Sequence, residues 1–466
     1  MIHQYKSNGY NIVMDVNSGS VHVVDDIVYD MIPLVEPLVT EGIKDADTIK
    51  AAVLNLANIP YPQEEITEAV DEVLELEKAG QLFAPDIYEN YIFDFKKRQT
   101  VVKALCLHIA HDCNLACRYC FAEEGEYHGR RALMSYETGK QALDFLIANS
   151  GSRRNLEVDF FGGEPLMNWD VVKQLVAYGR EQEKLHDKHF RFTLTTNGVL
   201  LNDEIMEFAN KEMDNVVLSI DGRKEVHDRM RPFRKGAGSY DLIVPKFQKF
   251  AESRHQDKYY VRGTYTHFNT DFSKDVLHLA DLGFKQISVE PVVAQPTDEY
   301  ALKDSDLPVL FDEYDRLAAE MVKRNKAGNG FNFFHFMIDL EGGPCVYKRL
   351  SGCGSGTEYL AVTPWGDLYP CHQFVGNEDF LMGNVWDGIK ATDIQDEFKC
   401  CNVYAKEKCR NCFARFYCSG GCAANSYNFH GTITDAYDLG CELQKKRIEC
   451  AIMIKAAEAD MADDAQ

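Results

Sequence analysis

The chain has 466 residues, a length that favours two or three domains over one compact core. Apolar residues make up 45% and charged residues 26%, which is typical of an ordinary globular protein. The formal charge is −23 and the lysines and arginines form no stripe, which argues against a nucleic-acid partner. Residues 1–6 lack the apolar run of a secretory signal, and no stretch of about 18 apolar residues occurs. The sequence therefore predicts a cytoplasmic protein with no membrane partner.

Fifteen cysteines are many for a protein of a reducing compartment, where disulfides rarely persist. Their number is odd and their spacing is clustered, which also argues against a disulfide framework. Metal ligation accounts better for the pattern.

Residues 1–100 predict a β-hairpin followed by three helices. Strand-like runs at 11–16 and 21–24 flank a segment with turn chemistry, Asn17-Ser18-Gly19-Ser20. The helical patterns cover Val28 to Val39, Asp47 to Ala57 and Gln63 to Gly80. This order predicts a small winged-helix-like module.

Residues 101–325 alternate short buried runs with helical stretches. The runs are 105–110, 156–161, 192–195, 216–220, 260–266 and 287–292. The intervening helices have plausible N-caps in Ser135, Asn168, Asn202 and Ser239. Six such units predict an α/β fold with a parallel sheet, either a partial barrel or an open doubly wound sheet. In a barrel, functional groups gather at the carboxyl ends of the strands.

Residues 326–455 contain eleven of the fifteen cysteines, many glycines and only weak strand signals. We expect such a segment to need metal to keep its shape. Residues 456–466 form an acidic tail, which is usually a solvated end.

A loop with Cys113, Cys117 and Cys120 follows the first strand of the second region. Three thiolates at this spacing can each bind one iron of a [4Fe–4S] cube and leave the fourth iron without a protein ligand. An open coordination position is what a catalytic metal requires. A zinc loop with a distant fourth ligand is the alternative.

This Cys-x3-Cys-x2-Cys loop resembles that of the radical SAM superfamily, whose members cleave S-adenosylmethionine (SAM) in a partial (β/α)6 TIM-type barrel. The resemblance implies that Gly162, Gly163 and Glu164 bind the amino group of SAM, since glycines allow close backbone approach and Glu164 supplies a counter-charge. It implies further SAM-binding residues at or after the third and fourth strands, namely Asn197, Ser219, Asp221 and Arg231. Arg262 is compatible with contact to SAM or to solvent.

The later cysteines are similar in order to the SPASM extension, which in relatives binds two auxiliary [4Fe–4S] clusters. By this resemblance the first auxiliary cluster has four ligands, Cys409, Cys412, Cys418 and Cys441. The second has Cys353, Cys371 and Cys422, with Cys345 as a possible fourth ligand. A cluster with a free iron binds a substrate thiolate, whereas a fully ligated cluster only passes electrons, and the sequence leaves both open. Two zinc ribbons are the alternative.

His372 departs from the pattern of sulfatase-maturing SPASM relatives, which carry an aspartate directly after the cysteine that corresponds to Cys371. A histidine there is a candidate catalytic residue that moves a proton, although a packed surface histidine is commoner. The departure puts a sulfatase-type activity in doubt.

Across nearly its whole length the chain resembles the maturases of SCIFF (six cysteines in forty-five) peptides, which are ribosomal precursors. The motifs that carry this resemblance include 9–13, 15–19, 24–26, 417–422 and 440–447. The resemblance implies that the N-terminal module is a peptide recognition element, which fits a hairpin edge that accepts a leader as an added strand.

The implied reaction, of the sactipeptide type, forms a thioether between a cysteine sulfur and a Cα atom of a cysteine-rich precursor peptide. It uses three [4Fe–4S] clusters, SAM and a reductant such as flavodoxin or ferredoxin, in an anaerobic or low-oxygen organism. Two alternatives stay open. One is another SPASM maturase of the sulfatase or amine dehydrogenase type, and the other is a non-enzymatic iron–sulfur redox sensor.

Overall fold

The computed structural model describes residues 1–56, 60–95, 97, 99–127, 129, 131–342 and 345–463. Within these ranges no helix combines the length and the apolar character needed to cross a bilayer. The strands form two sheets, a small antiparallel one near the N-terminus and a large mixed one in the centre.

The N-terminal module consists of a three-stranded antiparallel sheet and three helices. Its elements are β1 (Ile2–Ser7), β2 (Tyr10–Asp15), β3 (Val21–Val24), α1 (Asp26–Thr40), α2 (Ala46–Leu54) and α3 (Gln63–Lys78). The predicted hairpin is confirmed, since β2 and β3 pair with Val13 opposite His22. The sequence did not predict β1, because its apolar residues do not alternate. Ala57, the predicted end of the second helix, lies outside the described residues.

Aspartate caps start the first two helices of this module. The Asp25 side chain accepts a hydrogen bond from Val28 N, and the Asp45 side chain accepts one from Thr48 N. The helices then bury an apolar stripe, which includes Val35, and these side chains form a hydrophobic core within the module. The module thus has a core of its own, while Ile12 and Met14 on the other face of β2 pack into the large central core.

The central region contains the six predicted strands, and all of them pair in parallel. The strands, with one short addition, are β4 (Ala104–His111), β5 (Ala132–Leu133), β6 (Asn155–Gly162), β7 (His189–Thr196), β8 (Met213–Ser219), β9 (Tyr259–Tyr265) and β10 (Gln286–Pro291). The helices are α4 (Tyr136–Asn149), α5 (Trp169–His186), α6 (Asp203–Glu212), α7 (Lys224–Met230), α8 (Tyr240–Ser253), α9 (Ser273–Asp281) and α10 (Leu307–Lys326). The order β10-β9-β8-β7-β6-β4 places successive units side by side, which confirms the predicted α/β sheet.

All four predicted N-cap residues stand at the N-cap position, and two of them cap the helix with their side chains. Ser135 accepts from Thr138 N and Asn202 accepts from Ile205 N. Asn168 instead donates to the carbonyl oxygens of the β4 and β5 segments, Ile109 at 3.0 Å and Met134 at 2.9 Å. Ser239 donates to the Arg231 carbonyl at 2.8 Å. Both residues stand at the predicted N-cap position, but their side chains do not cap the helix, because they bind tertiary partners.

The cysteine-rich region continues the central sheet. Its strands are β11 (Asn332–Phe333), β12 (Tyr359–Val362), β13 (Asp367–Tyr369), β14 (Gly383–Asn384) and β15 (Gly388–Ile389). Its helices are α11 (Val346–Ser351), α12 (Thr392–Cys400), α13 (Glu407–Arg410), α14 (Arg415–Cys418), α15 (Ala423–His430) and α16 (Asp438–Asp463). β12 pairs in parallel with β4, and β13 to β15 follow in antiparallel order, so the whole sheet is mixed.

The pairing of β12 with β4 anchors this region to the central sheet, which the weak strand signals of the sequence did not predict. Leu360 lies opposite Leu105 in the ladder, and both are fully buried. The strand has only four residues, which is too short for sequence periodicity to reveal. α16 also continues through the predicted start of the acidic tail at 456.

The N-terminal module contacts the cysteine-rich region through polar and aromatic side chains. Arg415 donates to Asn17 Oδ1 at 2.7 Å and to Asp86 Oδ2 at 2.9 Å, and its side chain is 4% exposed. The His3 ring stacks on Phe413 with centroids 3.4 Å apart. The two units are therefore fixed against each other at the loop that follows Cys412.

Replacing Arg415 by alanine should loosen this contact. Hydrogen bonds to charged groups contribute about 1.5–3 kcal/mol each, so we expect the opening free energy of β1 and β2 to fall by about 2 kcal/mol. Hydrogen exchange measured by mass spectrometry would then be roughly thirtyfold faster in residues 2–15. Arg154→Ala is the control, since Arg154 and its partner Asp187 are both exposed. Equal exchange in both variants would contradict the assigned contact.

Candidate active site

The loop that carries the first three predicted ligands follows β4 directly and is attached to the segment after α7. Ala116 N donates to Pro232 O and Arg118 N donates to Met230 O, both at 2.9 Å. The three predicted ligands all line one cavity with a volume of about 320 Å³, namely Cys113, Cys117 and Cys120. The structure thus brings these cysteines together at the carboxyl ends of the parallel strands.

The end of β6 passes so close to this loop that a side chain does not fit. A Cβ atom added to Gly163 would lie 2.2 Å from the Asp112 carbonyl oxygen. One added to Gly162 would lie 2.3 Å from the Ala110 carbonyl oxygen, and Gly162 has φ of +124°. Both glycines line the cavity, so their bare backbone faces a ligand bound there.

The Glu164 carboxylate binds groups of its own chain, and its expected contact with the amino group of SAM stays a prediction. The residue is fully buried, and its carboxylate accepts from Leu166 N at 3.0 Å, Thr196 Oγ1 at 2.8 Å and Asn197 N at 2.8 Å. Burial raises the pKa of Glu164 to about 7, and the three hydrogen bonds act against that rise. Because all three partners donate, the charged form fits this pocket. Glu164 therefore fixes the end of β7.

Asn197 is the residue that Glu164 positions, and it lines the cavity as predicted. Its Nδ2 donates to Asn114 Oδ1 at 2.7 Å and lies 3.6 Å from Cys113 Sγ. Its Oδ1 accepts from Val199 N at 3.0 Å. The end of β7 is thereby connected to the cysteine loop through one amide side chain.

Asp221 also lies behind the cavity wall and is fully buried. It accepts from Tyr119 OH at 2.7 Å, from Arg231 Nε at 3.0 Å and from Thr264 N at 3.0 Å. Those three donors line the cavity, together with the predicted Ser219. Asp221 is thus placed to orient Arg231 and Tyr119, and its expected contact with SAM stays a prediction.

The other side of the cavity is lined by an ion pair and a histidine. Arg262, which the sequence left open, faces the cavity and pairs with Glu290 with Nη2 and Oε1 2.7 Å apart. The His372 ring lies 5.1 Å from the Phe161 ring. Burial lowers the pKa of His372 to about 4, with a smaller contribution from Arg262, so the imidazole is neutral at pH 7.

The chemistry of the donor set fits an iron–sulfur cluster. Burial raises the pKa of the Cys113 and Cys117 thiols to about 12. Forming the buried thiolates is therefore unfavourable unless bound metal compensates their negative charge. In the part of the chain that the structure describes, no three His, Cys, Asp or Glu side chains converge on a single ion. The thiolates of a cube bind different irons and need no such convergence. This geometry lends no support to the zinc alternative.

The later cysteines lie in two neighbouring groups. Burial raises the pKa of Cys441 to about 12, and the nearby Cys418, Cys409 and Cys412 add to that rise. Burial likewise raises the pKa of Cys371, with contributions from Cys422 and Cys353. These neighbours are the ones that the SPASM resemblance grouped. Cys345 is exposed next to α11, whereas Cys401, without a predicted role, is partly buried and near Cys353.

Two of the cavity residues that sequence reasoning missed donate hydrogen bonds to Asp221. Tyr119 stands between Cys117 and Cys120, and that position in the motif was the signal that its ring would lie beside the ligands. Thr264 reaches Asp221 through its backbone N, and a backbone contact leaves no residue-type signal.

Comparison with known proteins identifies the central region. Residues 107–288 match the family model of the Radical SAM superfamily. The radical SAM cyclopropyl synthase TigE of Paramaledivibacter caminithermalis is 23% identical over 312 residues, which cover 60% of this chain and 60% of TigE. The cysteine-type anaerobic sulfatase-maturating enzyme of Clostridium novyi is 23% identical over 376 residues, which cover 72% of this chain and 92% of that enzyme.

Two solved structures share the fold. The structure of anSMEcpe with bound AdoMet and the Cp18Cys peptide has a TM-score of 0.62 at 19% identity and covers 77% of this chain and 99% of its own. Streptococcus suis SuiB bound to the precursor peptide SuiA has a TM-score of 0.51 at 16% identity and covers 94% and 98%. The predicted radical SAM domain is confirmed, and that family implies a [4Fe–4S] cluster and SAM. The SPASM extension and the SCIFF specificity stay predictions.

Replacing Glu164 by glutamine should weaken SAM binding without removing a cavity-lining group. A glutamine amide has one acceptor oxygen, and its NH2 group would face a donor that now points at the carboxylate. We expect the SAM dissociation constant to rise by at least about tenfold, which corresponds to about 1.4 kcal/mol. Equilibrium dialysis with anaerobically reconstituted protein measures it. Glu157→Gln is the control, because Glu157 is a partly exposed residue of β6, the strand that precedes Glu164. Unchanged affinity in E164Q would contradict the assigned role.

Proposed function

We propose that this chain, with a radical SAM domain at residues 107–288, is an enzyme that forms thioether cross-links in a cysteine-rich ribosomal precursor peptide. The cross-link joins a cysteine sulfur to a Cα atom. The SCIFF-like motifs of the sequence support this specificity.

A single observation carries the proposal. One cavity is lined by the three loop cysteines, by Gly162 and Gly163, and also by His372, the neighbour of Cys371. A peptide in this cavity would therefore reach both the SAM-binding end and the predicted auxiliary ligands. A sensor that only stores electrons has no need of such a cavity.

The cavity residues divide between holding the cofactors and shaping the site. Cys113, Cys117 and Cys120 would hold the SAM-binding [4Fe–4S] cluster. When both are bound, a reduced cluster would supply one electron to the sulfonium of SAM, which would give methionine and a 5′-deoxyadenosyl radical. The backbone of Gly163 would hold the amino group of SAM, and Asn197, Ser219 and Arg231 line the same cavity, where they could orient the rest of it. The buried walls exclude water from a reactive centre.

In net terms the peptide loses two hydrogens for each cross-link. The acceptor Cα loses a hydrogen atom to the deoxyadenosyl group, and the cysteine thiol loses a proton. The sulfur–carbon bond then forms with the release of one electron. His372 lies in the cavity, where it could take the thiol proton, and auxiliary clusters held by the later cysteines would accept the electron.

The N-terminal module is the proposed binding site of the leader. β3 is the end strand of its sheet, and no described strand pairs with its outer edge. The opposite edge, β1, lies against α16, where Tyr5 OH donates to Glu449 O at 2.9 Å. A leader that adds a strand would therefore pair with β3.

A sulfatase-type maturase is the second candidate. It is favoured by the match to the Clostridium novyi enzyme, which covers 92% of that enzyme. His372 in place of the expected aspartate argues against it. The product distinguishes the two, since sulfatase maturation leaves no cross-link in the peptide.

The decisive assay is the release of 5′-deoxyadenosine under anaerobic, reducing conditions with and without a cysteine-rich precursor peptide. We expect release to rise at least about tenfold with the peptide, because the substrate hydrogen makes SAM cleavage productive. Mass spectrometry should find two hydrogens lost per cross-link and should place each link on a Cα atom.

Cys117→Ala is the control and should abolish both release and cross-linking. Peptide-independent release, or a product without a sulfur–carbon bond, would refute the thioether proposal. A formylglycine-type product from a sulfatase peptide would favour the second candidate instead.

Leader binding gives a separate test. Val23 on β3 is 50% exposed, and Val23→Lys would place a charge on the edge that is proposed to receive the leader. We expect the dissociation constant of a labelled precursor, measured by fluorescence anisotropy, to rise by about tenfold. Leu185→Lys is the matched control, because Leu185 is 72% exposed and lies on α5. Equal affinity in both variants would count against the β3 edge.

A further inference from the structure

Lys406 is a buried lysine in the middle of the cysteine-rich region. The residue is 2% exposed and stands directly before α13. Its Nζ donates to the Gly420 carbonyl oxygen at 2.9 Å and also hydrogen-bonds the Cys401 thiol. A lysine this deep is rare unless a counter-charge accompanies it.

No carboxylate supplies that counter-charge in the part of the chain that the structure describes, since no ion pair there includes Lys406. A buried ammonium without an anionic partner is strongly unfavourable. One carbonyl and one thiol satisfy hydrogen bonds but leave the charge uncompensated. The Lys406 ammonium therefore needs a nearby anion other than a side-chain carboxylate of the described residues.

The position of Gly420 shows where that anion would be. Gly420 is the middle residue between Cys418 and Cys422, which belong to the two different predicted auxiliary clusters. Ser419, Gly420 and Gly421 all have positive φ, at 60°, 87° and 71°, and this left-handed run forms the turn whose carbonyl accepts from Lys406. The ammonium thus lies at the junction of the two ligand sets.

The packing around the lysine stem agrees with this placement. A Cβ atom added to Gly420 would lie 3.7 Å from Lys406 Cδ, so the turn rests on the lysine stem. The ammonium is also near enough to act electrostatically on a ligand of each predicted cluster, Cys418 and Cys422, and on Cys409.

We propose that Lys406 is the shared counter-cation of the two auxiliary clusters and raises the reduction potential of both. The inference rests on the proposed function, which places the two clusters there. A cluster bound by thiolates is anionic and becomes more negative when it accepts an electron, so a buried cation beside it favours the reduced form. Lys406 acts by placing a positive charge beside the clusters, and it contacts neither SAM nor peptide.

The consequence concerns the electron released when the sulfur–carbon bond forms. That electron enters the auxiliary clusters more readily when a cation stabilises their reduced state. One lysine between both clusters would raise the two reduction potentials together. The difference between the two potentials would therefore stay small, and electrons could pass between the clusters in either direction. The Cys-x3-Cys segment around Gly420 would then help to set the reduction potentials as well as supply cluster ligands.

The test is an EPR-monitored redox titration of the reconstituted holoenzyme, in which added SAM identifies the signal of the SAM-binding cluster. Lys406→Met removes the charge and keeps most of the stem. We expect the reduced-to-oxidised ratio of the auxiliary clusters at a fixed potential to fall about tenfold, a downward shift of about 59 mV for one electron. The SAM-binding cluster should not shift. Lys406→Arg should keep the wild-type potentials.

Lys408→Met is the matched control. Lys408 is two residues away, but it is partly exposed and pairs with Asp438 at 2.7 Å, so its loss should leave both potentials unchanged. Auxiliary potentials in K406M equal to those of the wild type would overturn the proposal. If K406M loses auxiliary iron, K406R decides: retained iron and potentials support the need for a cation, and loss of iron in K406R as well overturns it.

The wild-type titration separates this inference from the proposed function. A wild-type protein that reconstitutes only the SAM-binding cluster would refute the auxiliary clusters and overturn the role of Lys406 with them. Auxiliary signals in the wild type that do not respond to the charge at position 406 would overturn the role of Lys406 alone.

Discussion

The close approach of two backbones, at the ends of β4 and β6, is the constraint on which the site depends. Gly163 N donates to Ala110 O at 2.8 Å and Glu164 N donates to Asp112 O at 2.9 Å, so the pairing of the two strands continues past their regular ends. This contact fixes the residue before Cys113. Because a Cβ at position 163 would overlap the Asp112 carbonyl, glycine is a steric requirement of the loop as well as an opening toward a ligand.

Two buried carboxylates extend that constraint across the sheet. Glu164 fixes the end of β7 through Asn197, and Asp221 fixes Arg231 and the β9 backbone at Thr264. Each carboxylate is fully buried and surrounded by donors, so its charge is compensated before any ligand binds. The cavity wall is thus preorganised from behind, which reduces the cost of ordering side chains when a cofactor enters.

The sequence predicted the strands and the cysteine groups better than the direction of single side chains. Buried runs such as 156–161 have the length and bulk of central strands, and local pattern is enough to recognise them. Asn168 and Ser239 were taken for helix caps but bind tertiary partners that no local pattern contains. The family motif pointed to Glu164, yet only the fold shows that its carboxylate binds Leu166, Thr196 and Asn197 of its own chain.

Other features escaped because they depend on distant residues. β12 has four residues and becomes a strand by pairing with β4, far away in the sequence. The left-handed turn at 419–421 packs against Lys406, so a segment outside the helix that it precedes contributes to its burial. The same turn separates Cys418 from Cys422 by three residues, so ligation and charge placement share one short segment.

Arg415, which joins this segment to Asn17 and Asp86, connects the N-terminal module to it as well. A peptide bound to that module would therefore be held next to the segment that carries the predicted auxiliary ligands. Leader binding would then order the substrate while the cysteines keep their positions.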